Sequence, residues 1–509
     1  MENLSLYKIT NSFTELMSKT EEGELTPEEY EKLGEELAIQ LQAKSANIIG
    51  YYQNENALLE AIDVQIKRLQ DFKKAKQNSI DKYKQYVKEN MERLGLQKIE
   101  TELGSLSISK SPISVEIINE DELPSEFKLE VVTTKIDKKV LEDFIDAANI
   151  YWQNPSDISQ GGLESKNVIE KSQNKIAKSI GAKGSEIVFL SGGSEANNWA
   201  IKGYLDKHRE CKSIITTETE HASVYNTCKY LEEKGYKVYY SPIDKYGCVD
   251  IKNLEKLIID NEIKNPFVSI MFSNNMIGTI NDVKKISEII VKYNGILHVD
   301  ATQAFMHTYI DVEKLGIDLM TASFHKIGGF KNCGFLYIRD GIELTPLIHG
   351  GKQFEYRRSG TENIPAIYAF GNQVERLNDD MEVHIGRTVD IHNYIIQEVY
   401  EKCGECCNVH LNGHPKRRIA NILSFTFDGI DAEKLICLLE LKDVCISMSS
   451  ACNSGTPAPD RTLKAIGLSD EEAFSTVRIS FDYNLTREMV DEFVEKLVEC
   501  IKSMQMFLN

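Results

Sequence analysis

Apolar positions change their spacing near residue 141. Before it they recur at Leu59, Ile62, Ile66, Leu69, Ile80, Tyr83, Val87 and Leu94, an a/d repeat with Lys73 and Lys76 as polar breaks. That repeat predicts a long helix with one apolar seam. Leu33, Leu37 and Leu41 predict an upstream helix able to pair with it antiparallel. This first helix starts at Thr26-Pro27-Glu28-Glu29, with Thr26 as N-cap, Pro27 at the first position and Glu29 at the third. Gly95 ends the second helix, and alternating strands follow at Leu106–Ser109 and Ser114–Ile118, with Pro112 at the turn. Residues 1–140 therefore read as an α-helical hairpin or coiled coil with a small β-sheet.

From Leu141 onward short apolar runs alternate with amphipathic stretches. The runs Ile187–Leu190, Ser213–Thr216, Lys237–Ser241, Phe267–Phe272, Gly295–Val299 and Ile317–Thr321 are expected strands. This order predicts an α/β domain over residues 141–345, with a doubly wound, mainly parallel sheet. A smaller α+β domain over residues 346–509 follows, with a strand at Ile422–Thr426. Ligands of such sheets bind beyond the carboxyl ends of the strands, so the residues at those ends carry the functional reading.

A chain of 509 residues is too long for one ordinary core. Its 42% hydrophobic and 27% charged residues are globular values. A net charge of -19 disfavours a general binder of nucleic acid or anionic membrane. The second helix runs against that balance, with Lys67, Arg68, Lys73, Lys74, Lys76, Lys82, Lys84, Lys88, Arg93 and Lys98 outnumbering its acids. A DNA-facing stripe is one reading; a solvated coiled-coil face is the commoner use of such a run. No apolar run has the length of a membrane span, and MENLSLYKIT lacks the pattern of a secretion signal. The 11 cysteines begin only at Cys211, an odd, scattered set that suits a reducing cytoplasm.

The strand ends hold a consistent set. After Ile187–Leu190 comes SGGSEANNWAIKG, where Gly192 and Gly193 free backbone N–H groups and Ser194 begins a helix suited to a phosphate. After Ser213–Thr216, His221 in TETEHASV is placed to stack on a flat ring or move protons. Asn275 in SNNMIG is placed to bond a phenolic oxygen. Asp300 in DATQ ends an apolar strand and needs a cationic partner, which a protonated pyridine nitrogen would be, and Gln303 follows on the same turn. Lys326, in ASFHKIGGFKNCG, lies among glycines just past a strand, where a lysine is placed to form a Schiff base. A phosphate cradle, a stacking imidazole, an acid for a pyridinium and a lysine are together what pyridoxal 5'-phosphate (PLP) chemistry requires.

The motifs YWQNPS, IVFLSGGSEANNWAIKG, TETEHASV, VSIMFSNNMIG, HVDATQ and SFHKIGG resemble the class I cysteine desulfurases, PLP enzymes of aminotransferase class V, in family order from about Val140 to Phe507. The resemblance implies PLP fold-type I. It implies Lys326 as the Schiff-base lysine, Asp300 at the ring nitrogen and His221 on the ring. Asn275 and Gln303 would contact the ring oxygen, and Gly193, Ser194, Ser323 and His325 would hold the phosphate. HGGKQFEYRRSGTENIPA resembles the family segment whose threonine, here Thr361, reaches the phosphate of the other subunit, which implies a homodimer. The helical pair and the tail LPSEFKLEVVTTKIDKKVLEDFI resemble uncharacterised siphovirus early-region proteins over most of residues 1–145.

Cys452 lies in ISMSSACNSGTPAPDRTLKAIGL, a Ser/Gly/Pro-rich loop by composition. The loop resembles the catalytic loop of the family, which makes Cys452 the nucleophile. Arg478 in STVRIS is a natural fork for an amino-acid carboxylate, as in the family. The expected reaction takes sulfur from L-cysteine, leaving alanine and a persulfide for a sulfur-acceptor protein. A related PLP lyase acting on selenocysteine or another amino acid is the alternative enzyme. An inactive PLP-binding scaffold, recruiting a partner or DNA through its helical domain, is the reading from another class. Cys403, Cys406, Cys407, His410 and His414 have spacing compatible with zinc, but the family holds no metal there and none is expected. Three departures stand out. VVTTKIDKK replaces the family's opening strand and Ala-Thr-Thr turn, with Val131–Thr134 in the strand's place. Asn274-Asn275-Met276 lacks the family's carboxylate, and Asp482-Tyr483 replaces Gly-Arg.

Overall fold

The computed structural model describes residues 98–101, 104–107, 137–448 and 458–506. The chain forms two compact units, Met1–Glu130 and Val131–Asn509. In the first, β1 (Lys98–Thr101) and β2 (Gly104–Ser107) pair antiparallel, Lys98 opposite Ser107 and Thr101 opposite Gly104. β2 contains the start of the strand expected at Leu106. Its partner is a segment that the apolar–polar alternation does not mark, and Lys98, counted with the basic helix, opens that strand. The helical pair, the strand at Ser114–Ile118, Pro112 and Val131–Thr134 lie outside the described residues.

The second unit opens with α1 (Lys138–Ile150), where Asp137 accepts from the N–H groups of Lys139 and Val140. α2 (Gln160–Ile180) is capped by Ser159 and ends at Gly181 in the left-handed region, φ 71°. Then come β3 (Ile187–Leu190), α3 (Gly193–Lys207), β4 (Ser213–Thr216), α4 (Ala222–Glu233), β5 (Lys237–Tyr240) and α5 (Ile251–Asp260). They are followed by β6 (Phe267–Met271), α6 (Val283–Lys292), β7 (Ile296–Asp300), β8 (Leu319–Ser323) and β9 (Gly334–Ile338). The strands form one sheet in the order β3-β9-β8-β7-β6-β4-β5, in which β9 runs antiparallel to both neighbours and the other pairings are parallel. This is the doubly wound, mainly parallel architecture expected. β3, β6, β8 and β9 are buried along their whole length, which is why none of them carries a charged residue or alternates as a half-exposed strand would.

β5 and β6 each end one residue earlier than expected, the strand expected at Ile422–Thr426 runs on through Phe427, and two further boundary differences matter for the site. Gly295 donates its N–H to Ile290 and so closes α6, and β7 runs one residue further, through Asp300. Ile317 bonds back to Val312, and the Asp318 carboxylate accepts from Leu297 N and pairs with Arg339. Those two residues belong to the turn, so β8 starts at Leu319 and reaches Ser323.

Helices cover both faces of the sheet. On one side Phe305, Phe324, Phe335 and Phe370 form an aromatic core, with Phe324 and Phe370 stacked at 4.4 Å. On the other, Trp199, Leu205, Val224 and Phe267 are buried, and the Trp199 indole N–H donates to Thr345 O at 2.9 Å. Each such side chain contributes about 1.5–3 kcal/mol through burial. α7 (Ile364–Asp379), against α1 and α2, leads into α8 (Met381–Cys403). A second, antiparallel sheet, β10 (Val409–Leu411), β11 (Ile422–Phe427) and β12 (Thr476–Ser480), packs its Leu423, Phe425 and Phe427 against α9 (Ala432–Glu440) and α10 (Arg487–Met506). Among the described residues no helix is long and apolar enough to cross a membrane.

Candidate active site

The turn from β3 to α3 is shaped by two glycines. Gly192, with φ 144°, would place a Cβ 3.5 Å from Ser323 Oγ, and a Cβ on Gly193 would meet Thr302 Oγ1 at 3.0 Å. The side chains of Ser323, at the end of β8, and Thr302, in the turn after β7, thus converge on this turn, and the positive φ of Gly192 suits glycine. Gly192 caps α3 without a side chain, so the N–H groups of its first turn are left for another acceptor. Ser194 is exposed in that turn. Glu195 accepts from Ser191 N at 2.7 Å and is forked by Arg358 at 2.9 and 3.3 Å. The Thr302 hydroxyl is buried without a partner, and Ser323 Oγ lies 2.8 Å from His325 Nδ1. Partial burial, with Lys326, Lys331 and His221 adding to it, pushes the His325 imidazole down to about 4, so it is neutral at pH 7. A helix N-terminus with free hydroxyls around it is an anion site.

Asp300, the last residue of β7, is 4% exposed. Its Oδ1 accepts from Thr302 N at 3.0 Å and its Oδ2 from Asn197 Nδ2 at 2.7 Å. One pleat below, His298 bridges Ser269 and Thr321 at 2.8 and 3.1 Å, and burial pushes it down to about 4. His221 caps α4 with an exposed ring, its Nδ1 accepting from Ser223 N. Gln303 follows on the turn after Asp300, partly buried. Lys326 sits in a single 3-10 turn, Phe324–Ile327, ended by Gly328 at φ 81°. Among the described residues its amine makes no hydrogen bond or ion pair. Burial and then Arg478 lower its pKa, while Asp300 opposes them. The neutral amine, which is the nucleophilic and basic form, is thereby favoured.

Arg478, on β12, reaches across to the large sheet and donates from Nη1 to Asn275 O at 3.0 Å. Its Nε is buried and unpartnered. Asn275 therefore meets Arg478 through its backbone carbonyl. The neighbouring Asn274 is structural, capping Met276 N and Ile277 N and donating to Thr219 O. Met276 is 1% exposed in a cluster with Leu463 and Ile466, so this position faces apolar packing. Tyr483 lies against His384, ring centroids 4.2 Å apart. Thr361 is exposed in the loop after Arg358.

Cys452 lies outside the described residues. Those flanking it both end at the site. Ser447 pairs with Arg478 through two backbone bonds of 3.1 and 2.7 Å. Arg461 donates to Glu218 O and Glu220 O, each at 2.5 Å, and lies 3.6 Å over the Tyr225 ring. Of the other cysteines, Cys437 and Cys445 are exposed, and those of the Cys403–Cys407 cluster serve packing. Cys403 is buried, Cys406 and Cys407 direct their thiols at Lys402 O and Cys403 O, His410 meets Asp428, and His414 caps the Lys416–Arg417 turn. Among the described residues no group of three or more His, Cys, Asp or Glu side chains is arranged to hold a metal.

Sequence reasoning passed over Asn197, Ser223, Thr302, His307 and Arg461. Four of them stand inside the motifs given above: Asn197 one helical turn beyond Gly193, Ser223 two residues after His221, Thr302 two after Asp300, and Arg461 nine after Cys452. His307, which meets Lys326 O at 3.0 Å, carries no local signal.

Comparison with known proteins agrees with this geometry. Residues 129–493 match the family model for aminotransferase class-V, and residues 5–150 match that for siphovirus Gp157. The cysteine desulfurase IscS of Methanosarcina thermophila is 40% identical over 374 residues, 73% of this chain and 91% of the relative. A NifS-like protein of known structure aligns with TM-score 0.66 and 32% identity over 72% of this chain and 96% of its own. SspA in complex with cysteine aligns with TM-score 0.59 and 31% identity, over 69% and 97%. The chain belongs to the class-V aminotransferase family, among the cysteine desulfurases.

Proposed function

We propose that this protein is a PLP-dependent cysteine desulfurase acting on L-cysteine and passing sulfur to an acceptor protein. The observation that carries the reading is the unpaired, partly buried Lys326 amine, set between the charges of Asp300 and Arg478. SspA, solved with cysteine, supports the choice of substrate. The residues present fit the coenzyme: orphan donors at the start of α3, the unpartnered Thr302 hydroxyl and a buried carboxylate at a strand end.

In this reading Gly193, Ser194, Ser323 and His325 hold the phosphate, and Thr361 reaches it across a homodimer. The exposure of Thr361 leaves it open to a second copy of the chain. Asp300 faces the ring nitrogen, His221 lies on the ring, and Asn275 and Gln303 meet its oxygen. PLP, when bound, supplies an electron sink that makes the substrate Cα proton acidic. Arg478 grips the substrate carboxylate through its unused N–H groups. Lys326 takes the Cα proton as a neutral base. The Cys452 thiolate attacks the substrate sulfur, so that an S–S bond forms as the Cβ–S bond breaks. Protonation at Cβ and return of the proton from Lys326 to Cα yield alanine, and the transferred sulfur stays on Cys452 as a persulfide.

The test is stoichiometric. Purified protein with PLP and a thiol reductant is expected to release sulfide and alanine from L-cysteine in equal amounts. Cys452→Ser should abolish sulfide release while leaving PLP bound, and Lys326→Ala should abolish both the visible absorbance band and turnover. A wild-type protein that binds PLP yet forms no alanine would sink the enzyme reading.

A further inference from the structure

Asn197 is 1% exposed, one turn into α3. Its Nδ2 group donates twice, to Asp300 Oδ2 at 2.7 Å and to Ser223 Oγ at 2.8 Å. Its Oδ1 is buried with no partner. A buried amide oxygen without a donor is destabilising, and an apolar side chain of similar size would avoid that cost. The residue is therefore kept for what its two N–H bonds do. Ser223 continues the line. Its backbone N–H, which can only donate, points at His221 Nδ1 at 3.1 Å, and its hydroxyl lies 2.8 Å from the same nitrogen. Since Ser223 Oγ already accepts from Asn197, its own proton is free for Nδ1. Two donors on one nitrogen leave the ring proton on Nε2.

We propose that Asn197 and Ser223 are positioning residues that join Asp300 and His221 into one unit. Asn197 clamps the carboxylate, and Ser223 carries that clamp to the imidazole and holds it as the Nε2–H tautomer. The assignment rests on the proposed roles of Asp300 and His221 toward PLP. It places the acid under the ring nitrogen and the ring-stacking group under common control, so that a disturbance at one is felt at the other. The bridge spans α3, α4 and β7, three elements that no local motif brings together.

The test uses the full-length protein, with and without PLP, carrying 15N-labelled histidine. The His221 ring signals are identified by their loss in His221→Gln. The wild type is expected to show an unprotonated Nδ1 and a protonated Nε2. Asn197→Ala should move the His221 signals and weaken PLP binding by about tenfold. Ser223→Ala should move the His221 signals further, since it removes the hydroxyl that meets Nδ1, and should weaken PLP binding less than Asn197→Ala does, because Asp300 keeps its amide donor. The double variant should leave His221 where Ser223→Ala puts it, because Asn197 reaches the ring only through the Ser223 hydroxyl. Unchanged His221 signals in a folded Asn197→Ala protein, or in Ser223→Ala should the first variant not fold, would overturn the bridge. So would a wild-type proton on Nδ1. Wild-type protein that binds no PLP would overturn the coenzyme reading instead, and the NMR signals without PLP separate that result from failure of the bridge.

Discussion

Asp300, at the end of β7, has both carboxylate oxygens taken by fixed donors, Thr302 N and Asn197 Nδ2. Arg478, in the middle of β12, gives one N–H to the carbonyl of Asn275 and buries its Nε with no partner. The two sheets thus present their charges in opposite states. A charge whose hydrogen bonds are already made does not move when its ligand arrives, which suits a group facing a resident coenzyme. A guanidinium with unmade bonds is stabilised by binding an anion, which suits a group that must grip and release a substrate in each cycle. Lys326 feels the charges of both, lowered in pKa by burial and by Arg478 and raised by Asp300.

The sharpest way to break this contrast is on the large-sheet side. Asp300→Ala should cost on the order of a thousandfold in alanine formation and weaken PLP binding in an absorbance titration. A variant with near-normal PLP affinity and turnover would show that the pre-paired carboxylate is not facing the coenzyme.

On the small-sheet side, Arg478→Lys should raise KM for L-cysteine by about 10–100-fold, since a point charge cannot fork a carboxylate. Its PLP affinity should stay at the wild-type value. Equal losses in both quantities would mean that Arg478 belongs with the coenzyme contacts.

A smaller effect measures what the large sheet gives up to bury its acids. Glu220 is 2% exposed, with Oε2 unpartnered, and burial pushes its carboxyl up to about 8, Asp300 adding to this and the Thr217 hydrogen bond opposing it. The folded chain holds this proton more tightly than the unfolded chain does. Stability is then complete below the usual carboxyl range and declines as pH rises toward 8, by at most about 1.4 kcal/mol per pH unit. Glu220→Gln should flatten the dependence of Tm on pH between 5 and 9. A variant as pH-sensitive as the wild type would place the titration elsewhere.

Much of the site was legible because its residues follow apolar runs. A buried parallel strand must be apolar through its length, so the polar residue where the run stops marks the carboxyl edge of the sheet. Asp300 and Lys326 were found that way, whereas Ser323 came only from the resemblance. The thiol of Cys452 rests on resemblance, and its position lies outside the described residues. Asn275 makes a contact that its residue type does not announce: its carbonyl, which every residue has, accepts from Arg478. Met276 read as the loss of a carboxylate, yet the cluster of Leu463 and Ile466 around it calls for an apolar side chain.

The amino-acid order alone determined the alternation of strands and helices, the glycine turn before α3 and the lysine after β8, because each depends on spacing within a few residues. The tertiary structure decided which groups meet. Asn197 and Asp300 are 103 residues apart, and Arg478 and Asn275 are 203 apart. Those pairings follow from the order of strands in the sheet and from the placement of β12 beside the turn after β6. Local periodicity specifies which face of an element is buried, but carries no information about which distant element will cover it.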